Sequence, residues 1–175
     1  METRKGRREE IRNFFRGPVL AHESQMVFED IRRKFVHEYE WSDMPTEGLT
    51  KDQQSRRHST WAIINRFSRH IGFFDRVLAL QPKFMAVFGK QTEETFQKLH
   101  RARNHIRGAC DILIEIADPV PGTDEWSLTS QMRSDIFDIN NAAVKELNRV
   151  TNLLAEFRAD IERICAPLIS HEFNG

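Results

Sequence analysis

Residues 127–166, SLTSQMRSDIFDINNAAVKELNRVTNLLAEFRADIERICA, decide the fold. The apolar positions are Leu128, Met132, Ile136, Ile139, Ala143, Leu147, Val150, Leu154, Phe157, Ile161 and Ile164, continuing to Leu168. The gaps are threes and fours averaging near 3.6 residues, the α-helical period, and period-two alternation fails throughout. As one continuous helix the stretch would be roughly 60 Å long, at about 1.5 Å per residue. A single apolar stripe cannot bury itself, so other helices must lie along it.

Working back from that stretch, residues 118–124 carry two prolines and a glycine and read as a loop, and Pro167 reads as the stop of the long helix. Thr92, Glu93 and Glu94 open the preceding helix, since acids suit a helix N-terminus. Phe96, Leu99, Ala102, Ile106, Ala109, Leu113 and Ile116 share one of its sides. Further back, Thr50 and Gln53 form a capping box that opens a helix expected to reach Leu80. Its seam is Thr60, Ile64, Phe67, Ile71, Phe74 and Leu78, with His70 on the shoulder as a half-buried structural histidine or a pH switch. Gln81-Pro82 ends that helix, and Pro82 starts a short one closed by Gly89.

An earlier helix is expected over 19–39, facing the core with Leu20, Val27, Phe28, Ile31, Phe35 and Tyr39. The loop 40–48 follows, and its Trp41 either folds back on the bundle or meets a partner. Residues 1–18 form a basic helix or arm, broken from the 19–175 bundle domain by Gly17-Pro18. The expected fold is all-α, an antiparallel bundle of four or five helices with one long C-terminal helix.

Formal net charge is zero, yet residues 51–108 hold twelve basic and four acidic side chains, and 109–175 hold five and twelve. Either the two parts neutralise each other or the basic middle faces an anionic partner. Thirteen Phe supply large core pieces. Cys110 and Cys165 sit within apolar helical patterns and fit a reducing compartment. No run approaches the roughly 18 apolar residues of a membrane span, so a soluble cytoplasmic protein is expected.

For chemistry, no Glu-x-x-His or His-x-x-x-His pairs two ligands on one helix face, so no metal and no cofactor is expected. The stripe His100, Asn104, Arg107, Asp111 and Glu115 lines one helix side, either as a solvated face or as a polar ligand groove. Arg56, Arg57, Arg66, Arg69 and Arg76, interleaved with aromatics, are the candidates for binding phosphates and stacking bases.

The run Arg32-Arg33-Lys34-Phe35-Val36-His37 resembles the Arg-x4-6-His element of HEPN-type ribonucleases, helical bundles that dimerise to pair two such motifs. The resemblance covers six residues and implies His37 as acid/base and Arg32 as the group that steadies phosphate charge. That family usually has a small polar residue where this chain has Arg33, and a second spacing within the x4-6 range runs from Arg16 to His22. The leading expectation is a protein-interaction or regulatory module, self-associating as a homodimer or meeting another protein, without its own catalysis. The alternative is an RNA-binding or HEPN-like RNA-cleaving protein that uses Arg32, His37 and the basic helix.

Overall fold

The computed structural model describes residues 17–115, 122–137 and 149–170. They form six α-helices: α1 (Gly17–Ile31), α2 (Lys51–Arg69), α3 (Ile71–Phe88), α4 (Glu93–Glu115), α5 (Asp124–Ile136) and α6 (Arg149–Ser170). Two short 3-10 turns, Glu38–Glu40 and Lys90–Thr92, complete the elements, and no strand occurs among the described residues. No helix among them is long and apolar enough to cross a membrane.

The helices converge on α4, which packs against α6, α5 and α2, while α1 packs on α6 and α2. Glu93 and Glu94 lie in the first turn of α4, and of its expected stripe Phe96, Leu99, Ala102, Ile106 and Ala109 are buried and Leu113 is half-buried, while Ile116 lies outside the described residues. Each large side chain buried there contributes about 1.5–3 kcal/mol. Edge-on phenylalanine contacts link neighbouring helices: Phe28 to Phe74 at 5.9 Å, Phe84 to Phe96 at 5.2 Å, and Phe96 to Phe157 at 6.2 Å between centroids.

The long C-terminal helix is two helices. Arg149 Nε lies 3.0 Å from both carboxylate oxygens of Asp135, fourteen residues earlier. In one continuous helix those residues would stand about 21 Å apart. The described residues on either side therefore do not belong to one continuous helix, and both α5 and α6 lie on α4. Met132, Ile136, Val150, Phe157 and Ile161 of the expected stripe are buried and Leu154 and Ile164 half-buried, while Leu128 is exposed. Periodicity reports which face each helix buries and is blind to a break between them. Ile139, Ala143, Leu147 and the Asn140-Asn141 pair lie outside the described residues. Pro167 falls within the last turn of α6, which continues to Ser170; the hydrogen bond it forfeits is one near the helix end.

The helix expected over 51–80 also divides. The Thr50–Gln53 capping box forms, with Gln53 N donating to Thr50 Oγ1 at 3.3 Å and Thr50 N to Gln53 Oε1 at 2.9 Å. At His70 the backbone leaves helical geometry (φ −96°, ψ 11°), and the turn brings the imidazole Nε2 to 2.8 Å from Asp30 Oδ2 on α1. The break resets the helical phase. Phe73, Phe74 and Val77 turn inward, while Ile71 and Leu78 of the expected seam are exposed.

Pro82, expected to end a helix, lies inside α3 on its exposed side. The Leu78 carbonyl that it leaves without a helical partner is thereby on a solvated face. Gly89 does close α3, at φ 96°, a conformation that disfavours any side chain.

At the N-terminal end, Gly17 and Pro18 open α1, two residues before the expected start. Proline suits a first turn because its missing N–H would have no helical partner there. The expected basic helix of residues 7–16, with Ile11, Phe14 and Phe15, lies outside the described residues. α1 ends at Ile31 and not at Tyr39, so Phe35 and Tyr39 are exposed at 81% and 62% instead of facing the core.

A loop clasped by a buried arginine as the candidate functional site

Residues 32–49 carry no regular structure beyond the Glu38–Glu40 turn, yet one face of α2 holds them at many points. Gln54 Nε2 donates to the Leu49 carbonyl at 3.1 Å. The His58 ring lies flat on Trp41, centroids 3.6 Å apart. Trp61 Nε1 donates to Asp43 Oδ1 at 2.9 Å, and Asn65 Nδ2 donates to the same oxygen at 2.8 Å and to the Glu40 carbonyl at 2.9 Å. Asp43 is held below the usual carboxylate range by the Trp61 and Asn65 hydrogen bonds. The positions 54, 58, 61 and 65 follow a helical stripe, so a single helix face presents all four groups.

Arg66, on the same side, is the centre of the arrangement. Among the described residues it is the largest side chain with no exposed surface. A guanidinium has five N–H donors, and here each has an acceptor. Nε and Nη2 donate to Glu40 Oε1 and Oε2 at 2.8 and 2.7 Å. Nη1 donates to the carbonyls of Ile31 and Arg33 at 3.2 and 2.6 Å, and Nη2 also to that of Phe35 at 2.6 Å. These carbonyls follow the end of α1, so Arg66 replaces the helical bonds the chain gives up there.

Glu40 is equally saturated. It also accepts from Arg33 Nη2 at 3.0 Å, Arg69 Nη2 at 2.7 Å and the His37 backbone N–H at 3.0 Å. The Arg66 hydrogen bonds, against the opposing effect of burial, hold its carboxyl far below the usual carboxylate range, with His37 N–H and Arg69 adding to them. A pair desolvated this fully is structurally decisive, because Arg66 without Glu40 would be a buried charge facing only carbonyls, and Glu40 without Arg66 would keep only its contacts from Arg33, Arg69 and the His37 N–H.

This placement revises the sequence-derived candidates. Arg66 cannot serve as a phosphate-binding group, since it is buried with every donor used. Arg69 is committed to Glu40, and Arg76 forms an ion pair with Glu23 of α1. Arg57 is half-buried and Arg56 exposed. Of the basic middle segment, Lys98 pairs with the C-terminal acids Asp160 and Glu156, at 2.8 and 3.2 Å. Arg101 pairs instead with Glu94 of its own helix.

Arg32 and His37 are not brought together as a catalytic pair. Arg32 is buried, and its guanidinium donates to the carbonyls of Asp135 and Ser134 at 3.1 and 3.0 Å and to Thr151 Oγ1 at 2.8 Å. It closes the C-terminal end of α5 and ties it to α6, leaving no face for a phosphate. His37 is exposed and stacks on Tyr39 at 5.4 Å.

In the stripe on α4, Asn104, Arg107, Asp111 and Glu115 are exposed, as on a solvated helix face. His100 alone is half-buried, with Nε2 2.9 Å from Gln81 Oε1. Burial, and then Arg103, lower its pKa. No group of three or more His, Cys, Asp or Glu among the described residues is arranged to hold a metal.

The sequence-level signal for Arg66 was its position three residues after Ile63 and directly before Phe67, on the inward side of α2. Glu40, twenty-six residues earlier, carries no comparable signal. No family model, curated protein or solved structure matches this chain.

Proposed function

We propose that this chain is a protein-interaction module whose contact element is the loop 32–49, with Phe35 as its anchor. One observation carries this: the Phe35 carbonyl is fixed by Arg66 at 2.6 Å while its ring is 81% exposed. An aromatic side chain on a backbone already held in place loses little freedom on binding, and such groups anchor protein interfaces. Tyr39 lies four residues on, and Arg33 and Lys34 flank Phe35. The matching partner surface is an apolar pocket with an acidic rim. A second copy of this chain would set like charges against each other, which favours a different protein over a homodimer.

The antiparallel arrangement of the bundle is supported for α1 and α6 by two cross-helix pairs. Arg32 meets Thr151 and Gln25 meets Arg158, so rising numbers on one helix meet falling numbers on the other. Cys110 and Cys165, both free and buried, support a reducing, cytoplasmic setting.

Affinity capture with the wild-type chain and Phe35→Ala in parallel tests the proposal, followed by titration of a purified partner. The expected result is a partner bound by the wild type and weakened at least tenfold by Phe35→Ala. A folded Phe35→Ala chain that keeps every partner at unchanged affinity removes the loop as contact element. Sedimentation equilibrium checks for the homodimer separately.

A second reading, single-stranded RNA binding, is favoured by the His37–Tyr39 stack beside Phe35 and Lys34. Rings interleaved with cations stack bases. It predicts binding of a short labelled RNA that weakens steeply between about 50 and about 200 mM salt. No binding at the lower salt rejects it.

A further inference from the structure

α1 and α6 enclose a cavity of about 480 Å³. That size lies in the range of sites that hold small organic ligands. Two hydrogen bonds cross between the helices at its edges. Arg32 Nη1 donates to Thr151 Oγ1 at 2.8 Å, and Arg158 Nη1 donates to Gln25 Oε1 at 3.2 Å. Along each helix these bridges are seven residues apart, which is about 10 Å. Phe28, Leu154 and Phe157 form an apolar floor, and the small side chains of Ala21, Ser24 and Ala155 leave the space open.

Among the described residues the cavity is lined by Arg32, Arg33, Lys34 and Arg158 and by one acid, Glu29. Arg32 is spent on its carbonyl and hydroxyl acceptors, Arg33 Nη2 pairs with Glu40 at 3.0 Å and Arg158 with Glu162 at 2.8 Å, so the cationic groups left for a ligand are Lys34 and Arg33 Nε. Arg33 Nε is buried with no hydrogen-bond partner. Lys34 is exposed and forms no ion pair with a described residue. An apolar trough with a cationic end matches a ligand with an apolar body and one anionic head.

We propose that the α1–α6 groove binds a medium-chain fatty acid, its carboxylate at Arg33 and Lys34 and its chain running over Phe28 and Leu154 toward the Gln25–Arg158 bridge. The inference is independent of the partner-binding role of Phe35, whose ring does not line the cavity.

The test is calorimetric titration of the full chain with decanoate below its micelle concentration, with decanol and decyltrimethylammonium as controls. Decanoate is expected to bind at one site, with decanol and the cation weaker by tenfold or more. Affinity should rise about fourfold per methylene from octanoate and level off once the chain reaches the far bridge. Lys34→Ala should weaken decanoate about fivefold. Ala155→Phe, a change at an exposed position, should abolish binding by filling the groove, and Phe35→Ala should leave it unchanged. Circular dichroism confirms that each variant is folded, and the surface variant Lys34→Ala carries the test if Ala155→Phe is not. Absence of saturable binding overturns the proposal. So does decanol binding as tightly as decanoate, or full affinity in both groove variants.

Discussion

Glu40 and Arg66 meet edge to edge, Nε to Oε1 at 2.8 Å and Nη2 to Oε2 at 2.7 Å, with no exposed surface on either side chain. Arg66→Met should cost about 3–5 kcal/mol, because it removes the bidentate partner of a buried carboxylate and leaves the carbonyls of Ile31, Arg33 and Phe35 without this donor. Arg66→Lys should recover little of this, since one ammonium has three donors for five acceptor contacts. The double variant Glu40→Gln/Arg66→Met should be less destabilised than the sum of the single changes. Urea unfolding of the four proteins measures this, and strict additivity would show that the two residues do not act as a pair.

The same pair sets the acid sensitivity of the fold. Glu40 is shifted far below its ordinary value near 4.5. A depressed carboxylate contributes stability that is complete above about pH 4.5 and is lost as pH falls toward the folded-state value. His100 and His105 are also shifted downward, by burial first, so they begin to disfavour the folded state as pH falls below about 6.5. Stability should therefore fall in two stages on acidification. In Glu40→Gln the lower stage should be reduced and the upper one kept; urea midpoints from about pH 7 to about pH 2.5 resolve the stages.

Arg32→Ala is predicted to destabilise the protein by about 1–3 kcal/mol through the carbonyls it leaves unpaired at the end of α5. His37→Ala, at an exposed position, should change stability by no more than about 0.5 kcal/mol. Thermal unfolding compares the two. Equal, negligible effects would refute the structural role of Arg32.

The buried Cys110 thiol is pushed up to about 12, chiefly by desolvation with Asp111 adding to it. At about pH 8 it should react with a disulfide reagent only as fast as the chain opens, and far faster in denaturant. Stopped-flow absorbance separates these rates. Rapid native labelling at Cys110 would contradict the packing of α4.

Much of the fold was legible where one residue speaks for itself. The Thr50–Gln53 box, the Gly89 stop and the stripe from Phe96 to Ala109 each depend on near neighbours in the chain. The errors fall where a distant residue decides. His70 divides α2 from α3 while its ring meets Asp30, forty positions away. Asp135 and Arg149 meet although they are fourteen positions apart, a separation that one continuous helix would forbid. Arg66 counts in sequence as one more surface cation, and only the position of Glu40 turns it into the centre of the core. The loop was legible from Trp41 to Gly48. That Phe35 points outward was not, because its side chain continues the helical stripe that its backbone has already left.

The two arginines that bound the candidate loop close their contacts at very different points during synthesis. Every acceptor of Arg66 lies upstream of it, from Ile31 to Glu40, so that clasp can form soon after α2 leaves the ribosome. Arg32 must wait for Ser134, Asp135 and Thr151, more than a hundred residues later. Since chains emerge N-terminal end first, the nascent protein displays Phe35 on a finished loop while the surface of α1 that receives α6 is still bare.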